Sequence, residues 1–360
     1  MNILWLAQRD PLNPRAGGVG RTIYEVCSRL VMRGHEVTLL TGGWTGSKST
    51  EVLEGIKILR YGKNIGPHLA LPIFLLKRKY DVVVNDLGHA IPWISSSLLS
   101  KNSIAFFHHL HARSLPGQVN PIIAKIITAF EKSYFILYGR STFVTESLTA
   151  RADLIYLGIN YMRIIRIPPG VDKNTFHPTK KTDYPSIVYF GGMRKYKRPE
   201  ESIYLLKDLI GRIDDLKLTI VGSGPEYESL IKMTNQMNLH GNITFTGRLT
   251  TDELSKIVAT SWLNVHTSVT EGWGFSILEA AAAGTPTVAY AVPGVVDAIE
   301  TDNNGITVKD GDRKALAEAT IKILSNPEKW WSSSIEVAKK YSWDKTAQSW
   351  EKVIQKIANH

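Results

Sequence analysis

The chain runs twice through the same alternation of short apolar runs and helical stretches, restarting after the rigid turn Pro168-Pro169-Gly170. The first pass opens with an apolar strand over 2–7, the glycine loop Ala16-Gly17-Gly18-Val19-Gly20, a helix over 21–32 and a second strand over 35–40. Ile23, Val26, Leu30 and Val31 share one face of that helix, and Gly34 ends it. Further buried strands are predicted at 81–84, 103–107 and 141–144, spaced widely enough for crossover helices. The second pass places strands at 186–190, 217–221, 243–246, 262–266 and 287–289. At 360 residues the chain is too long for one ordinary α/β domain. The reading is therefore two Rossmann-like domains, 1–168 and 169–342. An amphipathic helix in 343–360 is assigned to the first, although periodicity does not fix where it packs.

The segment richest in chemistry is Thr270-Glu271-Gly272-Trp273-Gly274-Phe275-Ser276-Ile277-Leu278-Glu279-Ala280, where a predicted strand gives way to a glycine turn and a helix. Gly272 and Gly274 let backbone approach a ligand, and amides at the helix start, from Phe275 through Ser276 to Ile277, can donate to phosphate oxygens. Side chains lean toward a helix N-terminus, so Glu279 can turn back toward the same ligand and accept from vicinal hydroxyls such as those of ribose. Glu271, across the turn, can accept from hydroxyls of a transferred sugar. Two glutamates eight apart are commonplace in themselves; the surrounding turn is what makes them informative.

That segment, followed by Gly284-Thr285-Pro286, resembles the retaining glycosyltransferases of family 4, which share the GT-B fold of two Rossmann-like domains facing each other across a cleft. The similarity extends to Gly17-Gly18-Val19-Gly20, to the linker Pro168-Pro169-Gly170-Val171-Asp172 and to Val221-Gly222-Ser223-Gly224-Pro225. It implies donor-binding roles for Gly17, Gly18, Gly272, Trp273, Gly274, Phe275, Ser276 and Glu279, and we add Gly222 and Arg248 to that set. The glycine turn at 222–225 has a plain alternative as a tight strand-to-loop connection. A nicotinamide cofactor is disfavoured, because Ile23 occupies the third glycine position of a dinucleotide fingerprint and Thr41-Gly42-Gly43 follows the second strand where an acid belongs.

Within Arg194-Lys195-Tyr196-Lys197-Arg198, Lys197 matches the family's lysine. The family's usual arginine position holds Gly192, and Arg194 is the candidate substitute. No Asp-x-Asp motif stands in a suitable place, so basic side chains, with no metal or other cofactor, are expected to neutralise the leaving diphosphate. In the first domain the strand over 103–107 runs into His108-His109-Leu110-His111. A zinc site is disfavoured, since adjacent residues on an extended chain point apart and no carboxylate or cysteine joins at a metal spacing. The resemblance aligns His108 with a histidine that contacts the transferred sugar; His109 and His111 stay open between acceptor contact and structure.

The expected activity is transfer of a hexose from a UDP- or GDP-sugar to a glycan or lipid-linked acceptor hydroxyl, with retention of configuration. His108, Arg194, Lys197 and Glu271 form the expected catalytic set, and domain closure is expected to exclude water. A nucleotide-sugar 2-epimerase and a non-catalytic nucleotide-sugar-binding subunit are the competing readings. Residues 1–170 hold 20 Lys and Arg against 10 Asp and Glu, while residues 171–360 hold 23 of each. This asymmetry fits an anionic partner, either a phosphorylated acceptor or an anionic membrane, and fits equally a solvated basic surface; a nucleic-acid partner is not expected. Ile122, Ile123, Ile126, Ile127, Phe130 and Tyr134 recur at helical spacing over 121–138, beside Lys125 and Lys132. Such a helix suits a membrane interface, and more commonly packs on a core. A single cysteine and an N-terminal apolar stretch too short for a signal peptide give a cytoplasmic expectation, peripheral at most to the membrane, with the mature chain starting at Met1.

Overall fold

The computed structural model describes residues 1–89, 91–115 and 119–359. Two compact units emerge: Met1–Ala112 with Asn120–Gly170 and Trp343–His360, and a second centred on Val171–Ser342.

In the first unit the strands are β1 (Asn2–Leu6), β2 (Glu36–Thr41), β3 (Thr50–Leu53), β4 (Ile56–Arg60), β5 (Val82–Asp86), β6 (Ser103–Phe107), β7 (Thr142–Thr145) and β8 (Ile164–Arg166). They form one sheet in the order β3-β4-β2-β1-β5-β6-β7-β8, in which only β3 and β4 pair antiparallel. Its helices are α1 (Gly18–Met32), α2 (Gly66–Lys77), α3 (Ile94–Leu99), α4 (Pro121–Lys132), α5 (Tyr134–Leu137) and α6 (Leu148–Tyr156). The sheet centre is apolar on both sides, as a parallel sheet covered by helices requires. Ile3, Trp5, Val82, Val84 and Phe106 meet α1 through Ile23, Val26 and Leu30. Leu4, Leu6, Val83 and Phe107 share the opposite core with Leu71, Trp93, Tyr134 and Tyr138.

The second unit holds β9 (Ser186–Phe190), β10 (Lys217–Val221), β11 (Ile243–Gly247), β12 (Leu263–His266), β13 (Thr287–Tyr290) and β14 (Gly305–Val308). All pair parallel, in the order β11-β10-β9-β12-β13-β14. Its helices are α7 (Glu200–Leu209), α8 (Tyr227–Gln236), α9 (Thr251–Thr260), α10 (Phe275–Ala282), α11 (Val295–Ala298), α12 (Arg313–Leu324) and α13 (Pro327–Lys339). The chain builds β10 and β11 on one side of β9, then returns to lay β12 on the other. The gap between β9 and β12 is therefore a topological switch point, where α/β folds bind ligands at the C-terminal strand ends.

The last helix, α14 (Trp343–Ala358), belongs to the first unit and packs on α1. The Trp350 ring lies 4.9 Å from Trp5, tilted, and 4.9 Å from Phe106, edge to face, and Glu351 accepts from Arg33 at 3.1 Å. Among the described residues no helix is long and apolar enough to cross a membrane.

Two expectations need correction. The helix over 121–138 breaks at Ser133 into α4 and α5, and α4 does not face the core: Ile122, Ile123 and Ile126 are 68%, 49% and 51% exposed. The glycine loop is also partly helix. Gly17 caps α1 and Gly18 is its first residue, three positions before the predicted start, and in that first turn a Cβ on Gly20 would come within 2.8 Å of Ala16 Cβ.

Candidate active site

In the second unit the loops after β9 and β12 flank the switch point and are stitched together. Thr267 Oγ1 donates to the carbonyls of Lys197 (3.0 Å) and Arg198 (2.8 Å), and the Val269 amide donates to Tyr196 O at 2.8 Å. Arg198, at φ +48, returns the link by donating to Thr267 O (2.7 Å) and Ser268 O (3.0 Å).

This stitching brings the Lys197 ammonium onto the Glu271 carboxylate. The same Glu271 Oε1 accepts from Ser268 Oγ at 2.6 Å and lies 3.2 Å from His266 Nε2, whose Nδ1 is 3.1 Å from Ser276 Oγ on α10. Burial pushes the Glu271 carboxyl up, but Lys197 and His266 overcome it and hold it well below the usual carboxylate range. Burial also pulls Lys197 down, and Glu271 more than offsets this, so the ammonium is held above the ordinary lysine value. Arg194 is exposed on the same loop, near enough to oppose the Lys197 charge.

Gly274 caps α10 at φ +89 and Gly272 stands in the turn before it. The Ile277 amide donates to Gly274 O at 3.0 Å, which removes it from the anion-binding amides expected from sequence. Glu279 lies in the second turn of α10, half-buried, and Phe275 and Ser276 form its first residues. Trp273 differs from expectation: its indole is in the core, at 5.6 Å from the Tyr341 ring, so only its backbone is left to face a ligand. Gly222 is explained by packing within the protein. A Cβ there would sit 2.0 Å from Gly191 O, and one at Gly224 would sit 2.3 Å from Met193 O, so this turn lets two loops touch. Arg248 is exposed just beyond β11.

In the first unit, Gly17 and Gly18 follow β1, and His108 follows β6, at the C-terminal edge of the sheet. His108 is buried between two carboxylates, with Nδ1 3.2 Å from Glu146 Oε2 and Nε2 3.4 Å from Asp86 Oδ2. Thr22 Oγ1 donates to Glu146 at 3.2 Å and the Gly88 amide to Asp86 at 2.6 Å. Burial would discharge the imidazole; the two carboxylates outweigh it and push its pKa up to about 10. Both ring nitrogens are engaged, so a direct sugar contact by His108 requires exchanging one of these bonds. His111 is held by Glu131, whose Oε1 is 3.1 Å from Nδ1, and its ring lies 5.1 Å from that of His109. Among the described residues no three His, Cys, Asp or Glu side chains are grouped to hold a metal ion.

Sequence reading missed Asp86, Glu146, His266, Ser268 and Gly294. Each follows or ends a strand on a ligand-binding edge, and scanning strand ends for polar side chains would have flagged the first four. Gly294 supports Glu271 from outside: at φ +78, a Cβ on it would meet Glu271 O at 2.2 Å.

Comparison with known proteins follows the same division. The family described as Glycosyltransferase Family 4 matches residues 16–175, and Glycosyl transferases group 1 matches 171–340. A GDP-mannose-dependent alpha-(1-6)-phosphatidylinositol monomannoside mannosyltransferase of Mycobacterium tuberculosis is 25% identical over 343 residues, covering 86% of each chain. Sucrose-phosphate synthase from Thermosynechococcus elongatus superposes with a TM-score of 0.82 at 19% identity, covering 99% of this chain and 98% of that one. Anabaena HepE, solved with UDP and glucose, superposes with a TM-score of 0.79 at 15% identity, covering 99% and 100%. Matched along residues 16–340 and sharing the fold of these structures, the chain belongs to the family 4 glycosyltransferases of the GT-B fold.

Proposed function

We propose that the protein transfers a hexose from a UDP- or GDP-sugar to a hydroxyl of a glycan or lipid-linked acceptor, with retention and without a metal ion. The observation that carries this reading is the convergence of Lys197, Glu271 and the start of α10 on the switch point of the second unit. The mycobacterial relative, whose name specifies GDP-mannose and a phosphatidylinositol mannoside, supports a nucleotide-sugar donor and a lipid-linked acceptor. HepE, solved with UDP and glucose, supports the same donor class. The mycobacterial relative is by name a mannosyltransferase, which supports transfer over epimerisation or binding alone.

In this mechanism the acceptor oxygen bonds to the anomeric carbon on the face from which the nucleoside diphosphate leaves. The carbon–oxygen bond to the β-phosphate breaks, and that phosphate oxygen takes the acceptor proton. Lys197 and Arg194, with the amides at the α10 start, hold the departing charge. Glu279 accepts from the ribose hydroxyls and Glu271 from those of the sugar, while His108 acts as a fixed cation ordering the first unit's edge.

The test is incubation with UDP- and GDP-hexoses and candidate acceptors, following nucleoside diphosphate release and the anomeric proton of the product by NMR. Release with an α-linked product, unaffected by a chelator, is expected. An inverted product or chelator-sensitive turnover would overturn the corresponding part of the reading.

A further inference from the structure

Helix α2 is apolar on every side. Leu71 is buried and Phe74 and Leu75 pack on the core, while Leu69, Ile73 and Leu76, spaced four and three apart, are 70%, 55% and 77% exposed. A helix that is apolar all round belongs inside a core or against a nonaqueous phase, yet α2 lies at the surface of its unit. The feature is not confined to one helix. α3 packs on α2 and exposes Leu98 and Leu99; α5 packs on both α3 and α4 and exposes Phe135 and Ile136. With Ile122, Ile123 and Ile126 of α4, exposed apolar side chains continue across four helices, far from the scattered single residues usual on a soluble surface.

Charge tells what covers this face. Across α2, α3, α4 and α5 the only acid is Glu131. It is buried, where it accepts from the amides of His111 (2.5 Å) and Ala112 (3.1 Å). The cations, by contrast, are exposed: Lys77, Arg78 and Lys79 at the end of α2, Lys101 beyond α3, and Lys125 and Lys132 on α4. A second copy of the chain docked by a two-fold would set these cations against each other, which disfavours self-association. Apolar side chains that insert, bordered by these six exposed cations against one exposed acid, Asp81, which is taken up by the Asn2 amide at 2.6 Å, match the acyl–headgroup boundary of an anionic bilayer.

We propose that α2, α3, α4 and α5 form a membrane-docking face that seats the first unit on an anionic lipid surface. The proposal does not depend on the donor assignment, since it uses none of the donor-site residues.

Its test is co-sedimentation of the full chain with vesicles of phosphatidylcholine alone and of phosphatidylcholine with phosphatidylglycerol. Wild type should pellet with the anionic vesicles, weakly with the neutral ones, and less as salt rises. Leu69→Asn with Ile73→Asn and Leu76→Asn should weaken anionic binding on the order of tenfold or more, since three inserted side chains are lost. Lys77→Gln, Lys79→Gln and Lys125→Gln should weaken it by about fivefold for each cation removed near the surface. Thermal unfolding confirms that each variant is folded, and these polar replacements lie at exposed positions. Failure of wild type to bind anionic vesicles, or unchanged binding by the apolar variant, would overturn the proposal. So would sedimentation velocity showing a wild-type dimer that the apolar variant dissolves.

Discussion

Lys197 and Glu271, 74 residues apart in sequence, meet across the switch point of the second unit because Thr267, Val269 and Arg198 tie their loops together. Before any donor arrives, the lysine charge is thus already answered by a carboxylate that also engages Ser268 and lies beside His266. An incoming diphosphate joins an organised array of charges and need not order one, which is how preorganised sites lower the cost of binding charge.

Glu271→Gln separates sugar recognition from phosphate recognition. If the carboxylate accepts from sugar hydroxyls, the variant should bind the nucleotide sugar more weakly by about 1.5–3 kcal/mol. Its loss of affinity for the free nucleoside diphosphate should be the smaller of the two, because there the variant forfeits only the ordering of Lys197 and no sugar contact. Titration calorimetry with both ligands gives the two affinities.

Gly294→Ala tests the support behind that carboxylate. The added methyl would meet Glu271 O at 2.2 Å, in a backbone conformation of φ +78 that alanine rarely adopts. A stability loss of about 1–3 kcal/mol is expected by urea unfolding, together with weaker donor binding as the Glu271 backbone shifts.

His108 should make stability pH-dependent in a particular direction. Its pKa is raised from the ordinary 6.5 to about 10, so its contribution is complete below about pH 6.5 and is lost as pH rises toward 10. Wild-type unfolding free energy should therefore fall across that window, and His108→Gln should flatten the fall. Removing the cation between Asp86 and Glu146 should itself cost about 3–5 kcal/mol near neutral pH.

Asp10 anchors the loop that precedes Gly17 and Gly18. Fully buried, it receives Arg60 Nε at 2.8 Å and Nη2 at 2.9 Å, and Thr41 Oγ1 at 3.3 Å. Arg60→Met leaves that carboxylate without its cation and should cost about 3–5 kcal/mol, while Arg60→Met with Asp10→Asn should recover part of the loss. Denaturant unfolding of the single and double variants measures both.

What the sequence made legible follows from where residues sit in the sheets. β6 and β9 match their predicted spans because they are short apolar runs buried at every position, and β10 matches because Leu218, Ile220 and Val221 are buried while Lys217 and Thr219 alternate with them. The β3–β4 hairpin escaped notice because Thr50–Leu53 is a partly polar edge strand, and its turn is Glu54-Gly55 in place of the stronger Asn-Gly signal. The Glu271–Glu279 turn was readable since its parts are neighbours in sequence. The carboxylates around His108 were not, because Asp86 and Glu146 come from other strands, 22 and 38 residues away. Trp273 looked like a ligand contact from its place in the turn, and only tertiary packing against Tyr341 turns its indole into the core.

The most direct test of the central claim is the thermal shift of the purified protein with UDP, GDP, ADP and their hexose derivatives, repeated with Lys197→Ala and Glu279→Ala. At a ligand concentration one hundred times Kd, binding should stabilise the fold by about 2.7 kcal/mol. The account predicts stabilisation by UDP or GDP and its sugars, lost in both variants. No shift with any of them, or an equal shift in wild type and both variants, would contradict a donor site at the Lys197–Glu271 switch point.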